Sequence, residues 1–141
     1  MGLQEEILGF ASSVGDMFRR RVAETPNSTA FLEPDRAVEG PNEWSSLTWA
    51  ETQVLVDQLA AGLMARGLAR EQRVGIICST RLEWILIDLG VACAAGATTT
   101  VYPNTAAGEV EFILTDSQSV IVVAENAAQL EKVQASEALR E

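Results

Sequence analysis

The chain has 141 residues, of which 48% are hydrophobic, and its 20 acids outnumber its 10 bases to give a formal net charge of −10. That length suits one ordinary domain, and that hydrophobic share excludes a disordered chain. The scattered acidic charge excludes partners that need clustered cations, so neither nucleic acid nor an anionic membrane surface is expected. In chain order, residues 1–12 read as a weakly patterned leader. Ser13 with Asp16 three places on resembles a capping box, and Val14, Met17, Phe18, Arg21 and Val22 follow at helical spacing until Pro26. Arg19–Arg21 is the only basic run, read as a solvated helix face.

Thr29–Glu33 and Glu43–Thr48 read as two strands of a hairpin, joined by the Pro-, Gly- and Asn-bearing loop Pro34–Asn42. Trp44 and Trp49 bracket the second strand and are expected to anchor the hairpin. Thr48 and Glu51 form a capping box for a helix whose broad face carries Val54, Leu55, Leu59, Leu63 and Met64. Gly67 is placed to close that helix in the left-handed conformation. A polar turn at Arg70–Arg73 follows.

Three apolar runs come next, Val74–Cys78, Ala97–Tyr102 and Ser119–Ala124. The runs VGIIC and VIVVA do not alternate, which predicts burial on both faces as in a parallel sheet covered by helices. Between the runs lie Arg81–Ala95, apolar nearly all round, and the shorter helix Glu109–Thr115. Asn126–Ala138 reads as a last, peripheral helix, and residues 126–141 are assigned to it as an outlying segment. The expected fold is therefore α/β: a partial parallel sheet flanked by helices on both faces, with an N-terminal helix and a small antiparallel hairpin.

The chemistry legible in the residues is sparse. There is no histidine, which removes Ser–His and Cys–His nucleophile pairs, and two cysteines, Cys78 and Cys93, read as small buried hydrophobes. No disulfide and no metal site is expected. No secretory signal and no apolar run long enough to span a bilayer is present in these residues, so the cytoplasm is the expected compartment. Gly62-x4-Gly67 is followed by Leu68-Ala69 rather than Lys-Ser/Thr, so it is not a phosphate loop. Ser79, Thr80 and Arg81 at the end of the first core strand suit an anion, against the plainer reading of a helix cap and a solvated arginine. Tyr102-Pro103-Asn104-Thr105 lies at the end of the second core strand, where open α/β sheets bind ligands, with Thr105 able to cap the next helix. The one lysine, Lys132, falls on the last helix, and no acid–base pair can be assembled.

Three segments resemble the N-terminal part of the AMP-forming adenylating enzymes, and within them the long-chain fatty-acid–CoA ligases. They are FRRRVAETPNSTAFLE, LTWAETQVLVDQLAAGLMARGL and RVGIICSTRLEWILIDLGVACAAGATTTVYPNTAAGEVEFILTDSQSVIVV. The second resembles a Leu-Thr-Tyr-x-Glu start, with Trp49 in the tyrosine position; the third carries Arg-x-Glu-Trp, Ala-Gly-Ala and Tyr-Pro before a threonine. The resemblance runs from about residue 14 to about 133 and makes residues 1–141 one domain, the N-terminal portion of an AMP-binding domain.

The resemblance implies ATP-dependent activation of a fatty acid to acyl-AMP and then to acyl-CoA, with ATP, Mg2+ and coenzyme A as the full-length family's cofactors. The family's phosphate loop, adenine-binding segment, ribose-binding aspartate and adenylation lysine have no match in these residues. The chain alone is thus expected to be inactive and to bind none of those cofactors tightly. The loop matching Tyr102, Pro103, Asn104 and Thr105 lines the coenzyme A channel in related synthetases, and Asn104 interrupts the usual Tyr-Pro-Thr order. The alternative is a non-catalytic interaction module that self-associates or complements a separately encoded remainder. A free-standing nucleotide-binding domain is disfavoured, because no glycine fingerprint follows the first core strand.

Overall fold

The computed structural model describes residues 10–34 and 44–139. Helix α1 (Val14–Glu24) starts where Ser13 Oγ accepts the Asp16 backbone N–H at 3.1 Å. Strands β1 (Thr29–Pro34) and β2 (Trp44–Thr48) pair antiparallel, with a bulge near Ala30. Thr48 then caps helix α2 (Trp49–Ala65). Its Oγ accepts the Glu51 N–H at 3.2 Å, while Glu51 Oε2 accepts the Thr48 N–H at 2.8 Å, so both orphan donors are satisfied. Gly67, at φ 92°, carries the chain out of α2, as expected of a residue without a Cβ penalty.

The core is β3 (Arg73–Ile77), α3 (Leu82–Cys93), β4 (Ala97–Val101), α4 (Ala107–Asp116), β5 (Ser119–Ala124) and α5 (Ala127–Gln134). The three strands are parallel in the order β4-β3-β5, so β3 is central. Alternation along β3 sends Val74 towards Ala60 and Leu63 of α2 and Val91 of α3. Ile77 joins Val101, Val110 and Leu114 on the α4 side, where Val133 of α5 also packs. β5 follows the same parity: Ile121 and Val123 face α2 and α3, and Val122 faces α4. Outside α2 and α3, a further cluster joins Phe18 and Val22 of α1 to Val56 and Leu86. The α/β class, with helices on both sheet faces, is thus as expected.

Four expectations are corrected. On α2 the buried residues are Thr52, Val56, Ala60 and Leu63, while Val54 and Met64 are 57% and 59% exposed. The helix is apolar nearly all round, so composition did not single out the face that packs. Trp49 does anchor the hairpin and α1, with its ring 6.2 Å from Phe18 and 6.0 Å from Phe31, and the Arg21 guanidinium 5.4 Å over it. Trp44 does not: it is 60% exposed at the start of β2. Continuous apolarity marked full burial correctly for β3, but not for β5, where Val120 is exposed and the other residues are half-buried. β5 is an edge among the described residues, so one flank lacks the neighbour that β3 has on both sides. Finally, α5 stops at Gln134 rather than Ala138. Most of the leader and nearly all of the hairpin loop lie outside the described residues.

Candidate functional site

Because the three core strands are parallel, their carboxyl ends share one rim of the sheet, and the loops after β3, β4 and β5 meet there. The loop after β4 is a tight turn: the Thr105 N–H donates to the Tyr102 carbonyl at 3.0 Å. Pro103, with its fixed φ, suits the second position of such a turn. Tyr102 projects from it, 71% exposed, and Asn104 is also exposed. Thr105 does not cap α4; the capping position is Ala106, which makes no side-chain bond.

The turn is tied from behind by a residue that sequence reasoning had left at the periphery. Lys132 Nζ donates to the Pro103 carbonyl at 2.6 Å and to the Thr105 carbonyl at 2.9 Å. One ammonium thus bridges both ends of the loop, and α5 rather than α4 fixes its position. In sequence, Lys132 stands 27 residues beyond Thr105 and showed only a charge on a polar helix.

The loop after β3 is occupied by the chain itself. The Ser79 backbone N–H and Oγ both donate to Glu125 Oε2, each at 2.7 Å. These bonds, side chain first, hold the Glu125 carboxyl below its ordinary value of 4.5. Arg81 engages Glu83 through Nε at 2.6 Å and Nη2 at 2.5 Å. The plainer reading of Ser79–Arg81, a helix cap and a solvated arginine, does not hold. Ser79 does hold an anion, but the anion is internal, and the capping position of α3 is Arg81 itself, without a side-chain cap bond. Cys78 lies against Glu125; desolvation first, then the bond to that carboxylate, pushes its thiol up, away from a reactive thiolate. Cys93 is likewise raised by desolvation, and both cysteines are unpaired.

Arg81 and Lys132 are engaged by Glu83 and by two carbonyls, and among the described residues no cluster of three His, Cys, Asp or Glu side chains suits a metal ion. Among the described residues no helix is long and apolar enough to cross a membrane.

The profile of the AMP-binding enzyme family matches residues 18–141, and the chain belongs to that family. The long-chain-fatty-acid–CoA ligase FadD13 of Mycobacterium tuberculosis is 30% identical over 111 residues, which is 79% of this chain and 21% of that protein. FadD15 of Mycobacterium bovis, a ligase of the same description, is 32% identical over 82 residues, 58% of this chain and 14% of its own length. Among solved structures, a Mycobacterium tuberculosis fatty acyl CoA synthetase superposes with a TM-score of 0.77 at 27% identity, covering 89% of this chain and 24% of that one. The chain therefore spans about a seventh to a quarter of these three proteins, and it is an N-terminal segment of the acyl-CoA synthetase fold.

Proposed function

We propose that this chain supplies the N-terminal α/β layer of a long-chain fatty-acid–CoA ligase, an assembly that activates a fatty acid with ATP and Mg2+ and passes it to coenzyme A. The supporting observation is the family match across residues 18–141 together with the superposition on a fatty acyl CoA synthetase. Within that assembly, Tyr102, Pro103, Asn104 and Thr105 form part of the wall of the coenzyme A channel. Tyr102 offers its ring to the pantetheine arm, and Lys132 holds the turn in place. The cytoplasm, where two unpaired thiols stay reduced, is the compartment that suits it.

The 141 residues by themselves do not adenylate. Charge developing on a transferring phosphoryl group needs cations and oriented backbone donors around it, and the arginine and lysine at the sheet rim are engaged internally. The test is acyl-AMP formation by the purified chain from ATP, Mg2+ and palmitate. Turnover above background would sink the proposal. A second reading, a module that complements a separate ligase remainder, is favoured by β5, which among the described residues pairs on one side.

A further inference from the structure

We propose that the hollow between α1, the hairpin and α3 is a binding site for one small aromatic monocarboxylate, with its rings in the hollow and its carboxylate on Arg21. The site is separate from the Tyr102–Thr105 turn, and the proposal does not depend on the ligase reading above.

The hollow has a volume of about 410 Å³. Its walls are Met17 and Phe18 of α1, Phe31 of β1, Trp49 at the start of α2, and Ile85 and Leu89 of α3. The fold sets this shape. Phe18 and Val22 seat α1 against Val56 and Leu86, and the Trp49 ring holds the hairpin beside them. Arg21 is the single polar residue of the lining. An apolar concavity of this size with one placed charge has the make-up of a small-molecule site.

The charge is open to a ligand. In the basic run, Arg19 is paired with Asp57 at 3.1 Å and Arg20 with Asp16 at 3.0 Å. Arg21 has no carboxylate partner among the described residues; its exposed guanidinium lies 5.4 Å over the Trp49 ring. A guanidinium laid on an aromatic face keeps its edge N–H donors available to a carboxylate, and the stacking already limits its freedom. An anion at the rim of the hollow therefore meets a donor that is held in place.

Length and lining select the body of the ligand. Met17 to Arg21 on α1 and Ile85 to Leu89 on α3 each span one helical turn, about 6 Å at about 1.5 Å per residue. An extended long acyl chain overruns that length, whereas one or two fused rings fill it. Phe18 and Phe31 lie at 54° and 52° to Trp49, with centroids 6.2 Å and 6.0 Å away. A ligand ring extends this tilted set, which contributes beyond area burial alone.

The probe is 1-naphthoate, titrated into the 141-residue chain by calorimetry and by NMR of the indole N–H signals, with 1-naphthalenemethanol as its neutral counterpart. The expected result is one-to-one binding that moves the Trp49 indole signal and leaves that of the exposed Trp44 in place. The acid should bind about fivefold more tightly than the alcohol. Arg21→Gln should remove that preference and leave the alcohol's affinity within about twofold. Met17 is 56% exposed, so Met17→Glu should leave the melting temperature unchanged; it gives Arg21 a carboxylate one turn away and should weaken naphthoate about fivefold. The acid–alcohol comparison uses the parent chain alone and stands whatever the variants do to folding. No saturable binding, an unmoved Trp49 signal, or equal affinity for acid and alcohol overturns the proposal. So does naphthoate binding that neither variant weakens.

Discussion

Replacing Lys132 by methionine keeps the length and most of the apolar stem of the side chain but removes the ammonium that bridges Pro103 and Thr105. Hydrogen bonds to charged donors contribute about 1.5–3 kcal/mol each when well shielded. This site is only part-buried, so water can replace the ammonium at both carbonyls, and the pair together is worth about 1–2 kcal/mol. For a domain of this size that corresponds to a fall of about 3–8 °C in melting temperature. The loss should be local. The Thr105 N–H, bonded to the Tyr102 carbonyl, should exchange faster with deuterium, whereas the Val74 and Ile76 amides in the central strand should not change. Lys132→Arg retains the charge and a donor and should recover much of the loss. A Lys132→Met melting temperature within about 1 °C of the parent, with Thr105 exchange unchanged, would refute the claim that this lysine positions the turn.

Glu125→Gln should destabilise at neutral pH, with the deficit closing in acid. The Glu125 carboxyl sits below 4.5 in the fold, so its stabilisation is present above that pH and is lost as pH falls through the folded value. Melting curves of parent and variant across that range check this, and a pH-independent gap would rule it out. Gly62→Ala and Gly90→Ala form a contrasting pair within helices. A Cβ at Gly62 meets nothing within 4 Å, so the gain in helix propensity should stabilise by about 0.5–1 kcal/mol. A Cβ at Gly90 would lie 2.9 Å from Leu59 Cβ, too close for α2 and α3 to keep their spacing, and overpacking of about 1–3 kcal/mol should outweigh the same propensity gain. Chemical denaturation of both measures the difference; shifts of equal sign would show that the two helices yield there.

What the sequence made legible was local. The Thr48–Glu51 box, the Ser13 cap and the Gly67 exit each involve residues within a few positions, so backbone stereochemistry alone announces them. The buried β3 was legible for a similar reason, as five successive residues carry the pattern. The misreadings share a different cause. Trp44, Val54 and Met64 are apolar residues on elements whose packing face is chosen by partners elsewhere in the chain, and hydrophobicity does not encode direction. The edge position of β5 depends on strand order, which periodicity cannot give. The two polar arrangements at the sheet rim, Ser79 with Glu125 and Lys132 with the Tyr102–Thr105 turn, join residues 46 and up to 29 positions apart. Each partner looked ordinary alone.

Those long-range pairs also fill the rim with internal partners. A loop at the end of a parallel strand offers backbone donors and hydroxyls to any nearby anion. Here Glu125, which follows the end of the neighbouring strand β5, takes the donors of Ser79, and those bonds hold its carboxyl below the ordinary value. Phosphate would have to displace a carboxylate that is effectively tethered at high local concentration. Arg81 would have to leave Glu83, and Lys132 would have to release the turn it braces. Each displacement removes an internal partner before any ligand contact forms, so binding of a polyanion at this rim starts with a deficit. Tyr102 and Asn104 stand outside that network, exposed on a turn that is fixed from behind. A ligand that asks only for a ring face, an amide and a rigid edge disturbs none of it. Under the proposed function, that exposed, braced turn is the part of the rim left open to a ligand.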